Sequence, residues 1–215
     1  MSQIFPRWAN RVPKRMLIAT IVVLNALVFG VWYFFSPYFL WVGYQPTQPV
    51  PYSHAIHAGK LGIDCQYCHT SAFRSPHANV PPTQTCMNCH SQVLTNDARL
   101  DKVRESFKTG KAIQWIRVNQ LAQYVEFNHS AHVNAGVACQ TCHGRIDRMT
   151  EVRQAKPLSM GFCINCHRNP APYLRPKDKV TAMGWTPPGN AEDFGRKIME
   201  EENLHPPVYC NGCHY

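Results

Sequence analysis

The chain is poor in acidic residues: 13 Asp and Glu stand against 22 Lys and Arg among 215 residues, giving a net charge of +9. A basic excess of this kind is one mark of nucleic-acid-binding proteins. The chain also has no cysteine outside five short motifs, which leaves none for lipid attachment, and no charged residue in positions 16–42. It does contain 10 cysteines and 11 histidines, so the arrangement of these residues decides the class of protein.

All the cysteines occur in pairs of the form Cys-x-x-Cys-His. The cysteines are Cys65, Cys68, Cys86, Cys89, Cys139, Cys142, Cys163, Cys166, Cys210 and Cys213, and the histidines that follow are His69, His90, His143, His167 and His214. Two thiols at this spacing can add to the two vinyl groups on one edge of a haem, and the next histidine then serves as the proximal ligand of the iron. The motifs therefore predict five covalently attached haem c groups.

Other uses of paired cysteines explain this pattern less well. Zinc ribbons also contain Cys-x-x-Cys, but they need no histidine after every pair. Redox-active Cys-x-x-Cys motifs usually occur once, in a βαβ setting, and a disulfide framework would not repeat one pentapeptide. The nucleic-acid interpretation fails as well, because haem propionates bring negative charge that part of the basic excess offsets.

Residues 16–42 predict a single transmembrane anchor. About twenty apolar residues in a helix span the hydrocarbon core of a bilayer, and residues 17–35 are mostly Leu, Ile, Val, Phe and Ala. The end of the segment is rich in aromatic residues, which favour the membrane interface. Pro37 is expected to end or bend the helix.

The orientation of this anchor follows from the charges that precede it. Residues 1–15 form a basic tail, which predicts an N-terminus in the cytoplasm and places residues 43–215 in the periplasm or outside the cell. A cleaved signal peptide is the alternative, but no small-x-small site follows the apolar run. We therefore expect an uncleaved, single-pass protein of the cytoplasmic membrane.

The outer part of the chain contains a tandem duplication. Residues 52–91 and 127–168 each begin with an aromatic residue and a His-x-x-His pair, and each then has two attachment motifs; a fifth motif lies at 210–214. Similarity at a fixed offset indicates a repeated structural unit. Residues 43–215 must hold all five predicted haems, which leaves too little polypeptide per haem to build an ordinary hydrophobic core. We expect a mostly irregular and α-helical fold, with one compact multihaem domain and little regular secondary structure.

Local patterns predict a few elements outside the motifs. Apolar residues at three- and four-residue spacing predict a helix over 96–108, capped by Thr95 or Asn96 and ended by Gly110. Alternation over 113–118 predicts a short strand. Residues 170–190 are rich in Pro and Gly and are expected to form a loop, and a second helix is expected over 191–202.

Histidines outside the motifs are candidates for the distal ligands. His54, His57, His129 and His132 form the two His-x-x-His pairs, at equivalent places in the repeat. Residues three apart project from one side of a helical turn, so each pair could bind two neighbouring irons. We predict that these four residues are the distal ligands of four haems.

The pattern of an aromatic residue and His-x-x-His before Cys-x-x-Cys-His resembles the class III multihaem cytochromes. In that family the first histidine of a pair tends to serve the next haem in the sequence. The resemblance implies that His54 serves the haem at Cys65 and that His129 serves the haem at Cys139. The irons served by His57 and His132 stay open at this point.

One haem is left without a distal ligand. Met160, His205 and His77 are the candidates, and an open coordination site is a further possibility. Met160 is too close in sequence to reach the iron of its own motif, but it could reach another. A thioether ligand would raise the potential of that haem above those of its bis-histidine neighbours. Packing against a porphyrin face is the simpler explanation for Met160.

The whole chain resembles the pentahaem cytochrome subunit of bacterial alternative complex III. The resemblance rests on the basic N-terminus with one span, Cys86-Met-Asn-Cys-His, Gln114-Trp115, residues 127–132, Cys139-Gln-Thr-Cys-His-Gly144 and residues 159–168. It implies a non-catalytic electron-transfer subunit of a quinol-oxidising respiratory complex. The implied partners are an iron–sulfur subunit that supplies electrons, multi-span quinol-binding subunits and a monohaem cytochrome. A soluble carrier or an oxidase would accept the electrons.

Three other functions are alternatives to this one. A membrane-anchored quinol dehydrogenase that feeds a periplasmic reductase would have a weakly ligated haem close to the span, whereas Cys65 follows well after it and has histidines nearby. A multihaem nitrite reductase is disfavoured by the lack of a Cys-x-x-Cys-Lys site. A scaffold whose haems never change redox state is the third possibility, which a redox titration would separate from the others.

Overall fold

A computed structural model of the chain describes residues 4–215. These residues belong to two compact units, which divide between Leu40 and Trp41. Residues 1–3 of the predicted basic tail lie outside the described residues.

The first unit is built around one long helix. A 3₁₀ turn, Arg7–Arg11, leads into α1, Val12–Phe34, and a short helix α2, Pro37–Leu40, follows. The helix begins before the apolar run because a proline in its first turn is pre-organised for helix entry. It ends at Phe34, ahead of Pro37, as predicted. Arg7–Phe34 contains an 18-residue window with a mean hydropathy of 2.2, and it is long and apolar enough to cross a membrane.

The second unit consists of short helices joined by irregular chain. The helices are α3 (Cys65–Cys68), α4 (Thr83–His90), α5 (Asp101–Thr109), α6 (His129–Asn134), α7 (Cys139–His143), α8 (Met160–Arg168) and α9 (Ala191–Glu201), with a π-helix at Ala55–Lys60 and several 3₁₀ turns. Residues 4–215 contain no β-strand, and an isolated bridge joins Val137 to Leu174. The prediction of a mostly irregular and α-helical fold is confirmed.

The buried apolar side chains of this unit are few and mostly small. They are Val50, Val103, Val133, Ala138, Met149, Ala171, Leu174 and Val180. Burial of a single Val or Leu contributes only about 1.5–3 kcal/mol, so this set is a small core for a unit of this length. It agrees with the expectation that cofactors fill much of the interior.

The predicted helix over 96–108 is present in two parts. A 3₁₀ turn, Ala98–Leu100, runs into α5, and Gly110 ends the helix with a φ of 72°. Asp97 is the cap, since its side chain accepts from the backbone N–H of Arg99, so the prediction of Thr95 or Asn96 was wrong by one or two positions. The predicted second helix is α9, where Asn190 accepts from Glu192 and Asp193.

The predicted strand over 113–118 is wrong. Ile116 donates its backbone N–H to Oε1 of Gln48, at 3.0 Å, and its carbonyl accepts from Nε2 of Gln48, at 2.9 Å. An amide side chain therefore occupies the backbone groups that a neighbouring strand would need. The loop predicted at 170–190 contains two 3₁₀ turns, Ala171–Tyr173 and Lys177–Lys179, and otherwise no helix or strand.

Candidate haem-binding sites

Each Cys-x-x-Cys-His motif forms about one turn of helix. The turns are α3, the end of α4, α7, the C-terminal part of α8 and the 3₁₀ turn Cys210–Gly212. Residues three apart on a turn share a side, so both thiols of a motif face the same way. Every cysteine of the chain is a free thiol in the structure. This is the arrangement that covalent attachment to one haem edge requires.

Three of the His-x-x-His side chains face a motif histidine across a gap of constant width. The ring centroids are 6.1 Å apart for His57 and His90, 6.4 Å for His129 and His143, and 5.9 Å for His132 and His167. A bond from a metal to an imidazole nitrogen is about 2 Å long, so two rings on opposite sides of one ion have centroids about 6 Å apart. The spacing fits one iron between each pair.

His54, the remaining member of the pairs, lies among three other motif or pair histidines. Burial, together with the charges of His69, His57 and His143, lowers its pKa to about 4. In the repeat it corresponds to His129, which faces His143. The neighbour of His54 that corresponds to His143 is His69.

Hydrogen bonds orient most of the motif and pair histidines in the same way. Nδ1 lies within 2.6–3.1 Å of a backbone carbonyl oxygen in His57 (Ser53), His69 (Asn79), His90 (Val93), His129 (Pro76), His132 (Asn128), His167 (Pro207) and His214 (Tyr124). A carbonyl oxygen only accepts, so each Nδ1 carries the proton and Nε2 keeps its lone pair. This is the tautomer in which Nε2 binds a metal.

An aromatic ring separates the two histidines of each pair. Tyr52 stacks on His57 at 4.4 Å and meets His54 edge-on at 4.8 Å. Phe127 does the same in the second copy, at 4.5 Å from His132 and 4.8 Å from its partner in the pair. Contact with the aromatic ring limits the rotation of both histidine rings, which gives the aromatic residue before each pair a structural role.

Burial favours the neutral form of two histidines and one cysteine of the second copy. It lowers the pKa of His143 to about 4, with the charges of His129 and His69 acting in the same direction. It also lowers the pKa of His132 and raises that of the Cys142 thiol to about 11. An imidazole must be neutral to bind a metal, and the lowered pKa values of His143 and His132 favour that form.

A basic cleft of about 500 Å³ opens beside the third motif. Its lining includes Arg145, Arg148, Glu151, Arg153 and Lys156, next to Gly144. The Arg145 guanidinium is paired with Asp147 at 2.6 Å, and three further cations face a single carboxylate. Such a lining favours carboxylates such as haem propionates.

The fifth motif has a different environment. Nδ1 of His214 donates to the carbonyl of Tyr124 at 2.8 Å, but the nearest aromatic ring is that of Tyr124 itself, at 5.6 Å. Met160 begins α8 and is 67 % exposed. His205 turns Nε2, not Nδ1, to Oδ1 of Asn203, which is the reverse of the pattern above. His77 is exposed.

The groups that hold the histidine rings were not predicted from the sequence. They are mostly backbone carbonyls, which every residue type has, so no residue pattern reveals Pro76, Asn79 or Pro207. Ser53 and Asn128 are exceptions, because a carbonyl four residues before a helical histidine is within reach by helix geometry alone.

Within residues 4–215, Nδ1 of His54 is one of the few buried side-chain atoms without a hydrogen-bond partner.

Comparisons with known proteins agree with this geometry. Residues 131–215 match the family model for cytochrome c3. The chain is 37% identical over 119 residues to the multihaem cytochrome c subunit of menaquinone reductase from Nitratidesulfovibrio vulgaris (strain Hildenborough), a stretch that is 55% of this chain. The chain spans about half the length of that relative, 54%. The second unit is accordingly a mostly helical and irregular multihaem cytochrome domain, and its residues 131–215 are similar to cytochrome c3.

Proposed function

We propose that the chain is the electron-transfer subunit of a membrane-bound, quinone-linked oxidoreductase and that it holds five c-type haems. The observation that carries this proposal is the set of three imidazole pairs at one-iron spacing, with ring centroids 5.9–6.4 Å apart. A haem supplies a one-electron redox centre, and one held by two imidazoles has no free position for a substrate. The chain is therefore a carrier within an enzyme and not the catalytic subunit.

Four of the five ligand sets follow the repeat. His69 with His54, His90 with His57, His143 with His129 and His167 with His132 would each hold one iron. In each copy the first histidine of the pair serves the first motif and the second histidine serves the second motif. This assignment proposes the irons for His57 and His132, which the resemblance to class III cytochromes left open.

Met160 is our choice for the distal ligand opposite His214. It lies three residues before Cys163 on α8, so both project from one side of the helix. Cys163 and Cys213 are close enough for the charge of one to raise the pKa of the other. His205 is disfavoured because its Nε2 is engaged by Asn203.

The membrane location rests on the first unit. The helix Arg7–Phe34 has the length and hydropathy of a membrane span, and the described residues before its apolar part carry basic but no acidic side chains. By the excess of positive charge on the cytoplasmic side, the N-terminus lies in the cytoplasm and the haem-binding unit lies in the periplasm.

More specifically, we propose that the chain is a subunit of alternative complex III. This rests on its similarity to that family at residues 86–90, 127–132, 139–144 and 159–168. An iron–sulfur subunit would then supply electrons, multi-span subunits would bind quinol, and a monohaem cytochrome, a soluble carrier or an oxidase would receive the electrons. The similarity to a menaquinone reductase subunit favours a second candidate, a complex in which electrons run towards menaquinone. Both candidates place this chain between a quinone site and another redox subunit.

Purification from native membranes tests the proposal. We expect an iron–sulfur protein and multi-span subunits to remain with the full chain in mild detergent. Reduction of its haems by added quinol would favour the first candidate, and oxidation of its pre-reduced haems by a menaquinone analogue would favour the second. Isolation of a lone chain that oxidises quinol by itself would refute both and support a self-contained quinol dehydrogenase.

A further inference from the structure

The two repeat copies hold each other through equivalent contacts. The backbone N–H of Ala55 donates to the carbonyl of Met149 at 2.9 Å, and that of Ser130 donates to the carbonyl of Ser75 at 3.2 Å. Ala55 and Ser130 each follow the first histidine of a pair, and Met149 and Ser75 each lie six residues after a motif histidine. The two bonds are the same contact, made once in each direction.

A second pair of contacts repeats the pattern. Gly59 packs so closely on the carbonyl of Asp147 that no side chain would fit there. At the equivalent place in the other copy, Nδ2 of Asn134 donates to the carbonyl of Phe73 at 3.0 Å. Each copy thus supports the His-x-x-His segment of the other with the loop that follows its own first motif. Reciprocal contacts of this kind define an isologous interface, which has a two-fold axis.

The position of the axis is marked by Cys65 and Cys139. They are equivalent residues, the first cysteines of the first motif in each copy. Oγ1 of Thr181 donates to Asp64, next to Cys65, at 2.7 Å, and the backbone N–H of Cys139 donates to the carbonyl of Val180 at 3.3 Å. The two thiols are near enough for each to shift the pKa of the other. A residue meets its own equivalent only at a two-fold axis. The first attachment sites of the two copies, residues 65–69 and 139–143, are therefore neighbours at the centre of the unit.

Within each copy the second motif lies outward from this centre. In the first copy, Nδ2 of Asn88 donates to the hydroxyl of Tyr67 at 3.1 Å, which joins the middle residues of the two motifs. In the second copy, His129 and His132 face the two motif histidines from one helix. The His-x-x-His segment bridges the two motifs in the same way in both copies.

The fifth motif extends the second copy. The carbonyl of Pro207 accepts from Nδ1 of His167 at 2.7 Å, so the segment leading to Cys210 packs on the fourth site. Nothing equivalent follows the second motif of the first copy, where Val93 accepts from Nδ1 of His90. The fifth motif therefore lies beyond residues 163–167.

We infer that the two copies form an approximate two-fold pair about Cys65 and Cys139, so that the attachment sites lie in the spatial order 86–90, 65–69, 139–143, 163–167, 210–214. This order differs from the order along the chain, in which 65–69 would be an end. The sites at 86–90 and 210–214 are the two ends of the row. If the proposed function holds, on which this consequence rests, redox partners approach the row at these two sites.

Engineered disulfides test the two-fold arrangement in the full, haem-loaded chain. A backbone hydrogen bond between neighbouring segments brings Cα atoms to about 5.5 Å, inside the roughly 4.4–6.8 Å that a disulfide spans. We expect a disulfide in Ser75→Cys with Ser130→Cys, and also in the equivalent pair Ala55→Cys with Met149→Cys, as read by mass spectrometry. The mismatched pair Ala55→Cys with Ser75→Cys is the control and should stay reduced. Bridging in the control, or in only one reciprocal pair, would overturn the two-fold arrangement.

Redox titration tests the order of the sites. Exchange of a distal histidine for methionine raises one midpoint, and the changed charge of that site at a given potential shifts the midpoints of its immediate neighbours. In the spatial order the 86–90 site has one neighbour and the 65–69 site has two. His57→Met should therefore move one further midpoint and His54→Met should move two. The order along the chain predicts the reverse, and that result would refute the inference.

The disulfide experiment and the redox titration do not depend on the partners of the chain. They use the purified haem-loaded protein and read a covalent bond and midpoint potentials, without quinone or a second subunit. Loss of the proposed function, shown by the absence of co-purifying quinone-binding subunits, would leave both readouts in place. Failure of the spatial order would change both readouts while the same subunits still co-purify.

Discussion

The motif and pair histidines each have two ring nitrogens. Where one of them donates a hydrogen bond, that bond fixes the tautomer and leaves the other nitrogen free to bind a metal. In the seven rings with a carbonyl partner, Nδ1–H donates and Nε2 is left to bind. His54 is the exception among the pair histidines, because its buried Nδ1 has no partner among the described residues. Its equivalent, His129, donates to Pro76. The two copies therefore differ in how firmly they orient the same ligand.

Replacing His132 by methionine tests the assignment of a pair histidine. A thioether in place of an imidazole favours the reduced iron, while the thioether bonds at Cys163 and Cys166 still hold the haem. We expect one midpoint potential to rise in a redox titration with no loss of covalent haem. His205→Met is the matched control and should leave all midpoints in place, since Nε2 of His205 is turned to Asn203. An unchanged titration of His132→Met would remove that residue from the ligand set.

Arg175 is a buried cation whose bonds hold the loop after residue 174. It is 7% exposed, Nη1 donates to the carbonyls of Lys179 at 3.3 Å and Ala182 at 3.0 Å, and the guanidinium lies 5.2 Å from the centre of the Trp185 ring. Arg175→Ala removes both of these hydrogen bonds and the contact with the Trp185 ring, and it should lower the free energy of unfolding by about 2–3 kcal/mol.

Denaturant unfolding of the haem-loaded protein, followed by Soret circular dichroism, measures this loss. Arg196→Ala is the control, because Arg196 is 58% exposed and its ion pair with Glu192 contributes at most about 1 kcal/mol. Equal effects of the two substitutions would mean that Arg175 does not hold the loop.

At the scale of elements, α9 is docked on the turn Ala171–Tyr173 through a glycine. Gly195 is buried in the helix, and a Cβ there would overlap the carbonyl of Ala171. Gly195→Ala should destabilise the unit by about 1–3 kcal/mol, the usual cost of overpacking, in the same unfolding measurement. Gly161→Ala on α8 is the control, since the nearest atom is 4.0 Å from its Cβ, and it should be neutral or slightly stabilising. A stable Gly195→Ala variant would show that α9 can shift on its turn.

Elements with local causes were predictable, and those with distant causes were not. Gly110, in the left-handed region, ends α5, and the side chain of Asn190 caps the start of α9. Both act within a few positions of the helix end. The strand predicted at 113–118 failed because its backbone partner is Gln48, far away in the sequence. Alternation of apolar residues shows a chain suited to a sheet, and it does not show whether a partner strand exists.

For the molecule as a whole, the number of haems is the most direct prediction. Each of the five motifs presents both thiols on one turn, so the full chain should carry five haems. A pyridine haemochrome assay against protein mass should give a ratio near five. A ratio of four or less would contradict the motif count.

The division between Leu40 and Trp41 predicts what anchors the chain. The full protein should remain in the membrane fraction after an alkaline wash, because the apolar helix Arg7–Phe34 would hold it there. A chain that begins at Trp41 and is exported by a cleavable signal should appear in the soluble periplasmic fraction with the same haem ratio. Membrane association of the shortened chain would show that the second unit binds the membrane or a partner by itself.

The sequence by itself determined the candidate attachment residues, because covalent attachment of a haem requires two cysteines and a histidine at one short, fixed spacing. It also determined the candidate span, since hydropathy depends on composition alone. Only the tertiary structure decided which pair histidine faces which motif and which carbonyl orients each ring. It also supports the inferred order, in which the first motifs of the two copies meet at Cys65 and Cys139. These relations join residues far apart in the chain through backbone groups that all residues share, so no pattern of residue types encodes them.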